Sequence, residues 1–97
     1  MATYVTLYNF TELGLRDIKD TVKRARAVKR AGSKFGVTIK EIVWTQGQYD
    51  IVAISEASDE VDANAMMLST LKLGFVRGQT LRGYTAAEME KFLEKVV

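Results

Sequence analysis

Two short stretches hold the residues best suited to move a proton or to fix a small anion. One runs from Trp44 to Asp50 (WTQGQYD), and the other holds Arg77 and Arg82. Asp50 at a pocket mouth acts as a base or as an acceptor for a ligand, provided burial or a partner lifts its pKa from about 4 toward neutral pH. Placed at a turn instead, it satisfies backbone N–H groups while Tyr49 packs with its hydroxyl in water. Arg77 and Arg82 differ in parity along an extended stretch, so alternation puts them on opposite faces. One of them pairs with Asp50 or takes an anionic ligand bidentately; alternatively, both are charges that guard a strand edge against aggregation. Trp44 is more readily a packing or interface residue than a platform for a cofactor. The candidate catalytic residues are therefore Asp50 and Tyr49. The candidate ligand-binding residues are Trp44, Tyr49, Asp50, Arg77 and Arg82.

Composition removes most other chemistry. The chain has no His and no Cys. That takes away the commonest general base, the commonest transition-metal ligand, thiolate nucleophiles and disulfides. Ser-His-Asp and Cys-His catalysis and His- or Cys-ligated zinc are excluded. Neither a metal nor a cofactor is expected.

Residues 16–34 carry eight Lys or Arg against two Asp, although the whole chain has a net charge of only +2. Arg16, Lys19, Lys23, Arg26, Arg30 and Lys34 recur at helical spacing and form one stripe. Two readings compete: a phosphate-binding surface, or a solvated helix face docking on acidic residues (Glu56, Asp59, Glu60, Asp62) of a neighbouring subunit. No aromatics interleave the stripe for base stacking, so nucleic acid is not the expected partner.

The elements that position these residues emerge from periodicity. With 97 residues, 47% of them hydrophobic and 27% charged, the chain supports one modest core and a single domain over 1–97. No signal peptide and no apolar run of roughly 18 residues stand out, so a cytoplasmic protein without a membrane partner is expected. Residues 3–10 alternate as a strand, and Thr11 is positioned to cap the helix after it. Residues 12–35 are predicted as one long helix with Leu15, Ile18, Val22 and Ala25 facing the core. Lys29 falls on that stripe as an oddity, which snorkelling accommodates. Residues 37–45 and 48–56 read as strands joined by a tight turn at Gln46-Gly47. Ser58 is the expected cap of a helix running to about Leu73. Residues 75–82 form a fourth strand, and Thr85-Ala-Ala-Glu opens a capping box for a short C-terminal helix. The order is β-α-β-β-α-β plus a final helix: an α+β, ferredoxin-like antiparallel sheet with helices on one face.

That sheet is apolar on both sides, where a monomer normally keeps one side polar. Val5 and Leu7 oppose Tyr4, Tyr8 and Phe10. Strict alternation sets Val37, Ile39 and Val43 against Ile42 and Trp44, and Ile51 and Ala53 against Val52 and Ile54. Two covers suggest themselves for the second face: a second copy, giving a homodimer through sheet faces, or the C-terminal helix folded back.

The stretch Trp44-Thr-Gln-Gly-Gln-Tyr-Asp-Ile-Val resembles the signature of the GYD domain family. Phe10-Thr11 followed by Gly14, Ile18, Lys19 and Thr21 is similar to that family's opening. Gly74-Phe-Val-Arg-Gly-Gln-Thr-Leu-Arg resembles its fourth strand, and Thr85-Ala-Ala-Glu its closing helix. Ala57-Ser58-Asp59 stands where the family usually has Pro-Asp. The resemblance implies a ferredoxin-like fold of the dimeric α+β barrel type and assigns no activity. Two functions are expected. One is a homo-oligomeric module holding a small molecule between sheet and helices, with Met66 and Met67 in the lining. The other is a cofactor-independent enzyme of the monooxygenase or isomerase type, in which Asp50, Tyr49 and Trp44 position the substrate.

Overall fold

The computed structural model describes residues 1–97. Four strands, β1 (Ala2–Phe10), β2 (Val37–Trp44), β3 (Ile51–Ala57) and β4 (Val76–Gly83), form one antiparallel sheet in the order β2-β3-β1-β4. The helices are α1 (Glu12–Arg16), α2 (Thr21–Lys34), α3 (Glu60–Leu71) and α4 (Ala86–Leu93). This is the expected ferredoxin-like arrangement, with β1 and β3 in the centre.

The predicted helix over 12–35 is in fact two helices. Chain direction changes at Asp17 (φ −103°, ψ 32°), and a 3-10 turn over Ile18–Asp20 leads into α2. The break rotates the buried face. Leu15 (59%), Ile18 (38%) and Val22 (43%) are exposed, and Lys29 is an ordinary surface lysine. Of the predicted stripe, Ala25 does turn inward, and Thr21, Arg24, Val28, Gly32 and Phe35 join it in place of the others, at helical spacing but in another frame. The cause lies in α1. Thr11 caps it by accepting from the Gly14 N–H at 3.1 Å, and Gly14 lies so close to the Phe75 carbonyl that a Cβ there would collide with it.

The turn between β2 and β3 is longer than the expected two residues. Thr45 N–H donates to the Asp50 carbonyl (2.8 Å), and the Thr45 hydroxyl donates to the Tyr49 carbonyl (2.6 Å), so residues 46–49 form the loop. The cap of α3 is Asp59 rather than Ser58; its carboxylate accepts from the Val61 N–H at 2.8 Å. α2 and α3 end before glycines in the left-handed region, Gly36 (φ 72°) and Gly74 (φ 85°). The capping box of α4 forms as read from sequence, with Thr85 and Glu88 each bonding the other's backbone N–H.

A bulge in β2 decides which residues meet the helices. Ile39 faces Ser55 but Glu41 faces Ile54, so Lys40 is an extra residue and strict alternation fails there. Ile42 and Trp44 therefore join Val37 and Ile39 on the helix side, and Val43 moves to the open face with Val52. The bulged Lys40 pairs with Glu56 at 3.1 Å.

Only nine residues are buried, and no large side chain is fully enclosed. Val37, Ile39, Ala57 and Met66 make the densest cluster, near one end of the sheet.

Two outcomes are expected. Gly14→Ala forces the Phe75 carbonyl aside, costs about 1–3 kcal/mol as overpacking does, and lowers Tm by several degrees in a thermal melt. The Glu88 carboxyl is held below its ordinary value mainly by the Thr85 N–H, with Arg82 assisting and desolvation opposing. Its contribution is therefore present above the unfolded pKa of about 4.3 and is lost as pH falls through the lower folded value. Protection factors over residues 86–93, taken relative to the intrinsic exchange rate at each pH, should fall on acidification in that window; unchanged protection factors would disprove the link.

Candidate functional site

The helices do not close on the middle of the sheet. α2 presents small residues there (Ala25, Ala27, Ala31), β3 presents Ala53, and a cavity of about 300 Å³ remains between the layers. Fourteen of its eighteen lining residues are hydrophobic. The sheet contributes Tyr8, Ile39, Ile42, Ile51 and Val76; α2 contributes Val28 and Ala31, with Phe35 just beyond its end; α3 contributes Met66, with Leu73 and Phe75 following it. Of the expected pair Met66 and Met67, only Met66 lines this cavity; Met67 accepts the Tyr8 hydroxyl instead.

Four hydroxyls and one cation interrupt this surface. Ser69 and Thr70 donate to carbonyls of their own helix, Ala65 and Met66, at 2.8 and 3.0 Å. Tyr8 donates weakly to the Met67 sulfur at 3.8 Å. Burial pushes its phenol above the ordinary value, partly offset by the Thr6 hydroxyl, so at neutral pH it is a neutral donor. Thr21 accepts from the Trp44 indole N–H at 3.1 Å. Arg24 lies with its guanidinium 4.3 Å from the centre of the Phe75 ring and donates to the Asp17 carbonyl at 2.8 Å and the Gly14 carbonyl at 3.5 Å. These contacts bind α2 to α1 and to the loop before β4.

The residues singled out from sequence lie around this cavity rather than in its wall. Trp44, at the end of β2, reaches it only through Thr21. Asp50 sits just before β3 and extends the sheet by one rung. Its N–H donates to the Tyr8 carbonyl (2.8 Å), and its carboxylate accepts from the Phe10 N–H (2.8 Å). Tyr49 is half-buried in the turn. Arg77 and Arg82 do fall on opposite faces of edge strand β4. Arg77 is opposite Asn9 on the open face. Arg82, opposite Tyr4, stacks on Tyr84 at 4.6 Å, pairs with Glu88 at 3.7 Å and bonds the Gly83 carbonyl, so it anchors the start of α4. Neither arginine pairs with Asp50.

Sequence reasoning missed Thr21, Arg24 and Phe75. Arg24 stands one residue off the basic stripe and four before Val28, so an arginine at core-facing spacing was the available signal. The frame set by Leu15 and Val22 concealed it.

A split βαβ sheet with helices on one side and a ligand-sized apolar cavity between the layers defines a ferredoxin-like α+β domain. The chain belongs to the GYD domain family, whose pattern it matches over residues 4–93. No curated protein matches it in sequence. Among solved structures it is similar to MtbAldR (TM-score 0.68, 12% identity, 87% of this chain), of which it spans about half the length, 52%. It is also similar to TTHA0845 from Thermus thermophilus (TM-score 0.57, 23% identity, 89% of this chain and 96% of that one) and to FFRP-DM1 (TM-score 0.59, 15% identity, 87% and 100%). At these identities the likeness is one of fold. No helix is long and apolar enough to cross a membrane.

Asp50→Ala leaves the Phe10 N–H unsatisfied, which costs about 1–3 kcal/mol. The expected result is a lower denaturation midpoint with unchanged binding of any cavity ligand; a stable variant that loses ligand would move Asp50 into the site.

Proposed function

We propose that this chain is a non-catalytic module that binds a small, mostly apolar molecule between its sheet and helices and pairs with a second copy through the open sheet face. The observation that carries the binding half is the cavity of about 300 Å³, which occupies the place where a core belongs. Its apolar wall, partly open to solvent, lacks packing partners, and an apolar guest supplies them. An apolar cavity of about 150 Å³ takes benzene, so one of about 300 Å³ takes a guest of about ten non-hydrogen atoms. The titratable side chains in its wall are Tyr8 and Arg24. Neither accepts a proton at neutral pH, which favours binding over proton-transfer catalysis.

What supports pairing is the open face. Val5 and Leu7 of β1 and Val52 and Ile54 of β3 lie side by side, flanked by Val43 and Leu81. Val43 (42%), Ile54 (39%) and Leu81 (41%) remain exposed, so α4 does not cover them. Thr3, Thr38 and the Lys40–Glu56 pair border this patch at one end, and Asn9, Arg77 and Gln79 at the other. An apolar centre with a polar border is the usual anatomy of an interface.

Native mass spectrometry of the protein as purified tests both halves. A dimer carrying a fixed extra mass is expected. Ile54→Lys should give monomers, and Ala53→Phe, which fills the cavity from the sheet side, should give empty dimers. A wild-type monomer would refute the pairing. Retention of the same mass by Ala53→Phe would refute the location.

A further inference from the structure

One end of the cavity carries a guanidinium, a hydroxyl with a free proton and no carboxylate, and from this we infer that the bound molecule carries a single anionic head, a carboxylate, held by Arg24 and Thr21. The inference rests on the binding reading above and specifies its ligand. Arg24 and Thr21 are three residues apart on α2, hence neighbours on one face, and both line the cavity. A guanidinium has five N–H donors. Those of Arg24 that are engaged meet two backbone carbonyls, and no carboxylate lies within ion-pair distance of it. Half-buried and stacked on Phe75, the Arg24 guanidinium keeps donors for a carboxylate, and such a charge-assisted pair is stronger than a neutral hydrogen bond. Thr21 adds a second donor. Its oxygen already accepts from Trp44, and no acceptor takes its own proton. Trp44 is thus a positioning residue for that hydroxyl. No Asp or Glu belongs to the cavity wall.

The ligand class is an amphiphile of about ten non-hydrogen atoms, with an apolar body against Val28, Ile39 and Met66 and its head at Arg24. Octanoate and 1-octanol have that size and differ in the head. Isothermal titration of ligand-stripped wild-type protein should show octanoate binding at least tenfold more tightly than octanol. In Arg24→Gln the two probes should bind with equal affinity, and continued binding of octanol shows that the cavity survives the substitution. Equal affinity of the two probes in wild type would overturn the anionic head and leave the cavity reading standing. Binding of neither probe would overturn both. A preference that survives Arg24→Gln would remove Arg24 from the site. Should Arg24→Gln not fold, the Arg24 Nε–H resonance of the wild type decides: it should shift with octanoate and stay in place with octanol, and an unmoved signal with octanoate overturns the assignment.

Discussion

Bracing at the exit of β1 governs the rest of the fold. On one side the Asp50 carboxylate takes the Phe10 N–H, where β3 has not yet begun. On the other, the Thr11 N–H donates to the Phe75 carbonyl at 3.1 Å, and its hydroxyl donates to the Gly74 carbonyl at 2.5 Å. That hydroxyl also receives the Gly14 N–H. The end of β1, the start of α1, the approach to β3 and the loop before β4 are thereby held within a few hydrogen bonds of one another. Such bonds contribute only about 1 kcal/mol each, but their concentration at one strand end fixes direction as well as stability. α1 must leave along the Phe75 carbonyl, and α2 must then start at an angle to it.

The same bracing explains the family resemblance. Asp50, Phe10, Thr11, Gly14 and Gly74, which carry much of the likeness to the GYD domain family, converge at this junction. They are bonded to backbone and to one another rather than aimed into the cavity. The signature is thus, in physical terms, the specification of a strand exit. The cavity wall is less distinctive in composition: alanines, branched aliphatics and one arginine.

The order of elements along the chain, the helical character of both crossovers and the C-terminal helix were legible because each has a local chemical cause: alternation in residues 3–10, Thr11 ahead of α1, and Thr85 three residues before Glu88. The features that were not legible depend on contacts distant in sequence. Nothing within 12–35 announces a break at Asp17; its cause is Gly14 meeting Phe75, some sixty positions away. Once that break is placed, the inward frame of α2 changes from Val22 and Lys29 to Thr21, Arg24 and Val28. The residue out of character is then Arg24 rather than Lys29. Asp50 was correctly suspected of serving backbone N–H groups, although the one it serves belongs to β1 rather than to its own turn. The cavity itself had no sequence signature beyond an excess of small side chains facing one another.

The extra residue in β2 has a bearing on how this chain is compared with others. Lys40 occupies length in the sequence and no rung in the ladder. Against any relative whose strand pairs without it, positions 41–44 line up correctly only if a gap is opened at Lys40. A gap displaced into the following turn would match each of those residues to one pointing the opposite way. Trp44 would then be scored against surface positions, and its link to Thr21 would vanish from the comparison.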